Sequence, residues 1–161
     1  MSLRERLRAE LTAAMRSRDA LRRDVLRMAW ASAYALEKRE HREATDDELV
    51  AVLSHEVRTR RESVEAFRKG GREELAAKEE AEIRVLQELL PQALTADQLR
   101  ALVAEAIEAT GAASPRDLGR VMGWLAPRTR GRADNREVNR LVGEALAERA
   151  ASGAGPGLAG P

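Results

Sequence analysis

Cysteine is missing from all 161 residues, which removes disulfides, thiolate zinc sites and cysteine nucleophiles together. Aromatic residues are nearly as scarce, with Trp30, Tyr34, Phe67 and Trp124 making up the 2%. Strands draw on aromatic and β-branched residues, so this scarcity argues against a β-sandwich or barrel. Histidine occurs only at His41 and His55, and His55-Glu56 lacks the second histidine that an H-E-x-x-H zinc site needs. Both are expected at the surface, with no metal and no cofactor. There is no Gly-x-Ser-x-Gly elbow, no Walker loop and no dinucleotide glycine fingerprint. Nothing approaches the roughly 18 uncharged apolar residues of a membrane span. The chain opens on Arg4, Glu5, Arg6 and Arg8 rather than on a signal-peptide core. The expectation is a soluble, cytoplasmic protein with no membrane partner.

What is present favours helix. Ala, Leu, Arg and Glu dominate, and these are strong helix formers. Caps mark the segments. Ser2 with Glu5 reads as a capping box, followed by an apolar stripe through Leu3, Leu7, Leu11, Ala14 and Met15. Asp19 caps a second helix with Val25, Met28, Ala29, Ser32 and Leu36 on its inner face. Thr45 to Glu48 is a second capping box, and Leu49, Leu53, Val57, Val64 and Phe67 follow, interrupted by Arg60 and Arg61. Gly70-Gly71 stops that helix, and a fourth carries Leu75, Ile83, Leu86 and Leu90 up to Pro91.

Three smaller helices follow Leu94. Thr95 and Gln98 cap the fifth, with Leu99, Leu102, Val103, Ala106 and Ile107 inward and Gly111 as its stop. Ser114-Pro115 opens the sixth, with Leu118, Val121, Met122 and Leu125 inward and Pro127 closing it. Arg128 to Asn135 reads as a basic loop, and a seventh helix buries Val138, Leu141, Val142, Ala145 and Leu146. The predicted fold is all-α, with a long-helix N-terminal domain over 1–92 and a small three-helix domain over 93–150. Residues 151–161 read ASGAGPGLAGP, too small and polar to offset ordering entropy, and are expected to form a disordered tail.

The net charge of +1 is unevenly spread. Arg116, Arg120, Arg128, Arg130, Arg132, Arg136 and Arg140 face only Asp117, Asp134 and Glu137 across residues 116–140. Arginine presents a planar fork suited to phosphate, and two helix N-termini here add partial positive charge. The alternative is an arginine-rich solvated face. In the N-terminal helices, Arg16, Arg18, Arg22, Arg23 and Arg27 read as such a face, while Arg60 and Arg61 beside Glu56 and Glu62 point to salt bridging between helices. Gly119 and Gly123 each cost roughly 1 kcal/mol in a helix interior, and the compensation is either close helix packing or backbone approach to RNA.

Met122-Gly123-Trp124-Leu125-Ala126-Pro127, Arg130-Gly131-Arg132-Ala133-Asp134 and Val138-Asn139 together resemble the C-terminal motif of GatB/YqeY-domain proteins. That motif is a D-x-G-x-V-M-G segment, a basic K/R-G-x-A-D loop and a helix opening V-N. Upstream, Glu56-Val57-x-x-Arg60-Arg61-Glu62-Ser63, Lys69-Gly70-Gly71-Arg72-x-Glu74-Leu75-x-x-Lys78-Glu79 and Leu89-Leu90-Pro91-x-x-Leu94 are similar to the N-terminal half of free-standing YqeY proteins. One departure is Asn135 where the loop usually carries Gly, and Asn is the next-best residue for a left-handed turn.

The resemblance implies a relative of the GatB tail domain in the glutamine-dependent aspartyl/glutamyl-tRNA amidotransferase. There the tail engages the tRNA while the chemistry lies elsewhere, and family labels extend carbon–nitrogen ligase activity to free-standing members. The expected role is a non-catalytic accessory binding tRNA or other structured RNA, with an amidotransferase or synthetase component as a further partner. A helical protein–protein interaction module is the alternative. No catalytic residue is expected. The expected contacts are Arg116, Arg120, Arg128, Arg130, Gly131, Arg132 and Asn139, with the alternating loop arginines sent one way by an extended backbone.

Overall fold

The computed structural model describes residues 1–153 and consists, over those residues, of seven α-helices and one 3-10 turn, with no strand. The helices are α1 (Leu3–Ser17), α2 (Ala20–Glu40), α3 (Asp46–Lys69), α4 (Glu73–Gln87), α5 (Ala96–Thr110), α6 (Leu118–Thr129) and α7 (Asn135–Ala151), with the 3-10 turn at Pro115–Asp117. The fold is all-α. The chain divides into two compact units, one from Met1 to Gln92 and one from Ala93 onward. Of the segment expected as a tail, Ala151 closes α7, and residues 154–161 lie outside the described residues.

Local chemistry sets the helix starts. Reciprocal capping boxes form at Ser2–Glu5, Thr45–Glu48 and Thr95–Gln98, and the Asp19 carboxylate accepts from the Arg22 amide at 3.0 Å. Each supplies an acceptor to an amide that the helix leaves without one. Gly111 ends α5 at φ 66, in the left-handed region where a Cβ costs roughly 1–2 kcal/mol.

In the first unit α2 packs against α1, α3 and α4. Its core holds Leu7, Val25, Leu26, Ala29, Leu49, Leu53, Ala76 and Leu86, all nearly inaccessible. The face of α2 differs from the expected one. Leu26 and Ala33 turn inward, whereas Met28 is 57% exposed and Leu36 only half-buried. Positions 25, 26, 29 and 33 follow the helical repeat toward the neighbouring helices, and 28, 32 and 36 fall beside it. Met15 is likewise exposed at the end of α1.

Arg60, amid the apolar face of α3, is 6% exposed. It donates to Glu56 at 2.6 Å and to Glu82 of α4 at 3.0 Å, and Ser32 of α2 donates to the other Glu56 oxygen at 3.0 Å. Arg61 is exposed. Other arginines bind the unit at its edge, Arg22 reaching Glu10 and Glu88 at 2.6 and 2.8 Å and Arg4 reaching Glu37 at 2.8 Å.

The second unit closes α5, α6 and α7 around Val103, Ala106, Val121, Leu125, Val138, Val142 and Leu146. Pro127 does not end α6, which runs two residues further to Thr129. Proline removes only its own amide bond to the carbonyl four residues back. One turn from the helix end the remaining bonds survive: the Arg130 amide donates to Ala126 at 3.1 Å and the buried Thr129 hydroxyl to the Leu125 carbonyl at 3.1 Å.

Candidate nucleic-acid interface

The 3-10 turn and α6 set the first basic side chains. The Asp117 carboxylate accepts from the amides of Ala113 at 2.8 Å and Ser114 at 3.3 Å and pairs with Arg120 at 3.0 Å. Those amide bonds first, and the Arg120 charge after them, hold its pKa below the ordinary carboxylate range. Arg116, in the turn, is exposed.

Along α6, Arg120, Trp124 and Arg128 occupy one row at four-residue spacing, so they stack along a single face. Trp124 is half-buried against the core, and Arg128 is exposed. The Arg128 guanidinium carbon lies 3.6 Å from the Trp124 ring centroid, and its Nη1 donates to the Trp124 carbonyl at 2.6 Å. This is a close cation–π stack. Sequence reasoning placed Arg128 in a loop and missed it, although an aromatic four residues before an arginine on a helix is the signal for such a pair.

Gly119 and Gly123 lie on the exposed side of the same helix. A Cβ at either position meets nothing within 4 Å, so packing between helices among the described residues does not compensate them. The buried side of α6 is Val121, Leu125 and Thr129, and the glycines sit away from it.

The segment after α6 is a tight turn rather than an extended loop. The Thr129 carbonyl accepts from the amides of Arg132 at 2.9 Å and Ala133 at 3.0 Å, and the Leu94 amide donates to the Arg132 carbonyl at 2.8 Å. Gly131 takes φ 72, which reverses the chain where an extended backbone was expected. Arg128 and Thr129 belong to α6, Arg130 is exposed and Arg132 is half-buried. The arginines therefore do not alternate along one strand-like edge.

The helix N-termini differ from expectation as well. The Asp134 carboxylate accepts from the Arg136 amide at 2.8 Å, and Asp117 occupies amides ahead of α6. The Asp134 carboxylate therefore offsets part of the positive field expected at the start of α7, whereas Asp117 makes no side-chain cap bond to α6 itself. On α7, Asn139 is exposed. Arg140 is held by Glu137 and, at 2.8 Å, by Glu144. The structure thus brings Arg120 and Arg128 into one row, sets Arg130, Gly131 and Arg132 in the turn that follows, and leaves Arg116 and Asn139 exposed on the flanking segments.

A separate cleft of about 630 Å³ lies between α5 and α7, floored by Val103, Ile107, Leu141 and Ala145, and contains none of these residues. Among the described residues no cluster of histidine, aspartate or glutamate could hold a metal ion, and no helix is long and apolar enough to cross a membrane.

A protein named "Altered inheritance of mitochondria protein 41, mitochondrial", from Pyrenophora tritici-repentis (strain Pt-1C-BFP), is similar to this chain. The two are 30% identical over 144 residues, which covers 88% of this chain and 79% of the fungal protein. The family model described as "Yqey-like protein" matches residues 4–146, spanning both helical units and the α6–α7 turn. The chain belongs to the Yqey-like protein family.

Proposed function

We propose that the protein is a non-catalytic accessory that binds tRNA or another structured RNA by its phosphate backbone, related in role to the glutamine-dependent tRNA amidotransferase. The single observation that carries the reading is the exposed arginine surface of α6 and its turn. Arg116, Arg120, Arg128 and Arg130 all reach solvent there. The acids nearby engage Arg120 and Arg140, and exposed pairs of this kind hold by about 1 kcal/mol or less, so phosphate can replace a carboxylate. Gly131 and Asn139 complete the expected contact set, Gly131 through bare backbone at the turn. A cytoplasmic location goes with this reading, and the mitochondrial location in the fungal relative's name belongs to that protein.

One observation favours a protein partner as a second reading. Met28 of α2 is more than half exposed, one turn before Ser32 at the edge of a cleft of about 390 Å³ lined by Ser32, Leu36, Ala51 and Val52. The two readings separate on one titration. Phosphate contact predicts a log–log salt slope for duplex RNA on the order of minus 3 to minus 4, by analogy with the DNA rule of about 0.9 per contact, and indifference to base sequence. Replacing Arg128, Arg130 and Arg132 together by Ala flattens the slope and leaves the thermal midpoint nearly unchanged. Wild-type binding by the folded triple variant refutes the surface.

A further inference from the structure

The Trp124–Arg128 stack is more than a phosphate grip requires. Phosphate recognition needs the guanidinium alone, yet here Arg128 lies flat on an indole at 3.6 Å, and Arg120 is one turn back on the same row. Beside the ring, Gly123 leaves a shelf of backbone where a Cβ would enter open space. A flat π-face, bare backbone, and a cation before and after it on the same row are the parts of a stacking platform for nucleic-acid bases.

We propose that Trp124 stacks a single unpaired nucleobase of the bound RNA. In the free protein Arg128 covers the ring, and the base takes its place. The covering is replaceable because Arg128 is exposed and held by the ring and by one hydrogen bond to the Trp124 carbonyl. The displaced guanidinium turns to the phosphate next to that base, so its charge stays paired. A purine is preferred over a pyrimidine because its π-face is larger and stacks more strongly. The inference rests on the RNA reading above and adds to it that the ligand carries a base out of the helical stack.

Two RNA hairpins test it, identical except that one has a bulged adenosine where the other has an abasic ribose. The protein is the full chain with Trp30→Phe, which leaves Trp124 as the only tryptophan. The bulged hairpin is expected to bind on the order of tenfold more tightly, from the usual worth of base–aromatic stacking, and to quench Trp124 emission. The abasic hairpin binds with the same salt slope and does not quench. Trp124→Leu abolishes the tenfold preference and keeps the slope, while Trp124→Phe keeps most of the preference. Equal, salt-dependent binding of both hairpins with unchanged Trp124 emission overturns the platform and leaves the RNA reading standing. No salt-dependent binding of either hairpin overturns both. The comparison of the two hairpins uses no substitution at Trp124, so a Leu substitution that unfolds the chain does not blunt the test.

Discussion

Replacing Arg60 by Ala tests how the first unit is held together. The guanidinium side chain is 7% exposed, and its partners Glu56 and Glu82 keep 17% and 16%. Removing one partner of a buried ion pair costs about 3–5 kcal/mol, because the remaining charge loses its compensation. Here two carboxylates lose the guanidinium, but Glu82 keeps Lys78 at 3.9 Å and both keep some access to water, which places the expected loss near the lower end, about 3 kcal/mol. For a unit of this size that is a fall in midpoint on the order of 10–20 °C. The assay is urea and thermal unfolding followed by Trp30, which packs against this core under Arg4 at 5.2 Å, in a Trp124→Phe background. The control removes the charges together, with Arg60→Met, Glu56→Gln and Glu82→Gln in one chain. That triple variant is expected to be more stable than Arg60→Ala by at least about 1 kcal/mol, since the penalty lies in the unpaired charge and not in the missing cation. Arg60→Ala within about 1 kcal/mol of wild type, or a triple variant worse than the single, refutes the argument.

Two further changes follow from the structure. Gly123→Ala is expected to raise the thermal midpoint, by up to about 1 kcal/mol of stability from helix propensity, because the new methyl meets nothing within 4 Å; a loss of stability in thermal circular dichroism means that the position is packed after all. Glu79→Gln addresses pH. Burial, and then the Glu82 charge, raise the Glu79 carboxyl above its ordinary value of 4.5. A folded pKa above the unfolded one gives stability that is present in acid and lost as pH rises through the folded value. The Gln variant is therefore expected to exceed wild type at pH 7, by less than about 1 kcal/mol, and to match it at pH 3; a lower urea midpoint at pH 7 contradicts the sign.

The helix starts were legible because capping is local: Ser2–Glu5, Thr45–Glu48 and Thr95–Gln98 each close within four residues. The inward face of α2 was not. Its apolar residues at 25, 26, 28, 29, 33 and 36 spread over too much of the helix circumference to single out one face, and the docking of α1, α3 and α4 decides that Leu26 and Ala33 are covered while Met28 is not. Pro127 misled for a related reason, since its penalty falls on a single carbonyl that the last turn of a helix can do without. In the candidate interface the residue types were legible, and their arrangement depended on the turn. Two amides converging on the Thr129 carbonyl with Gly131 at positive φ fold back what alternation suggested was extended.

Composition alone could not tell a structural arginine from an available one, and burial separates them. Arg60 carries the cost of desolvation and requires two carboxylates and a helix carbonyl to offset it. Arg4 and Arg22 tie helix to helix within the first unit at partly buried positions. The arginines of α6 follow neither pattern. Arg128 covers an aromatic ring from the solvent side, and Arg120 holds an acid one turn away on the surface. Such exposed contacts contribute about 1 kcal/mol or less to folding, so stability alone does not account for a run of them next to two uncompensated glycines. The same weakness makes them exchangeable: a surface cation loosely held by its own chain loses little when an external phosphate or base takes over its partner. On the RNA reading proposed above, substitutions in the two regions separate: those on α6 and its turn weaken binding, and those in the buried network around Arg60 weaken folding.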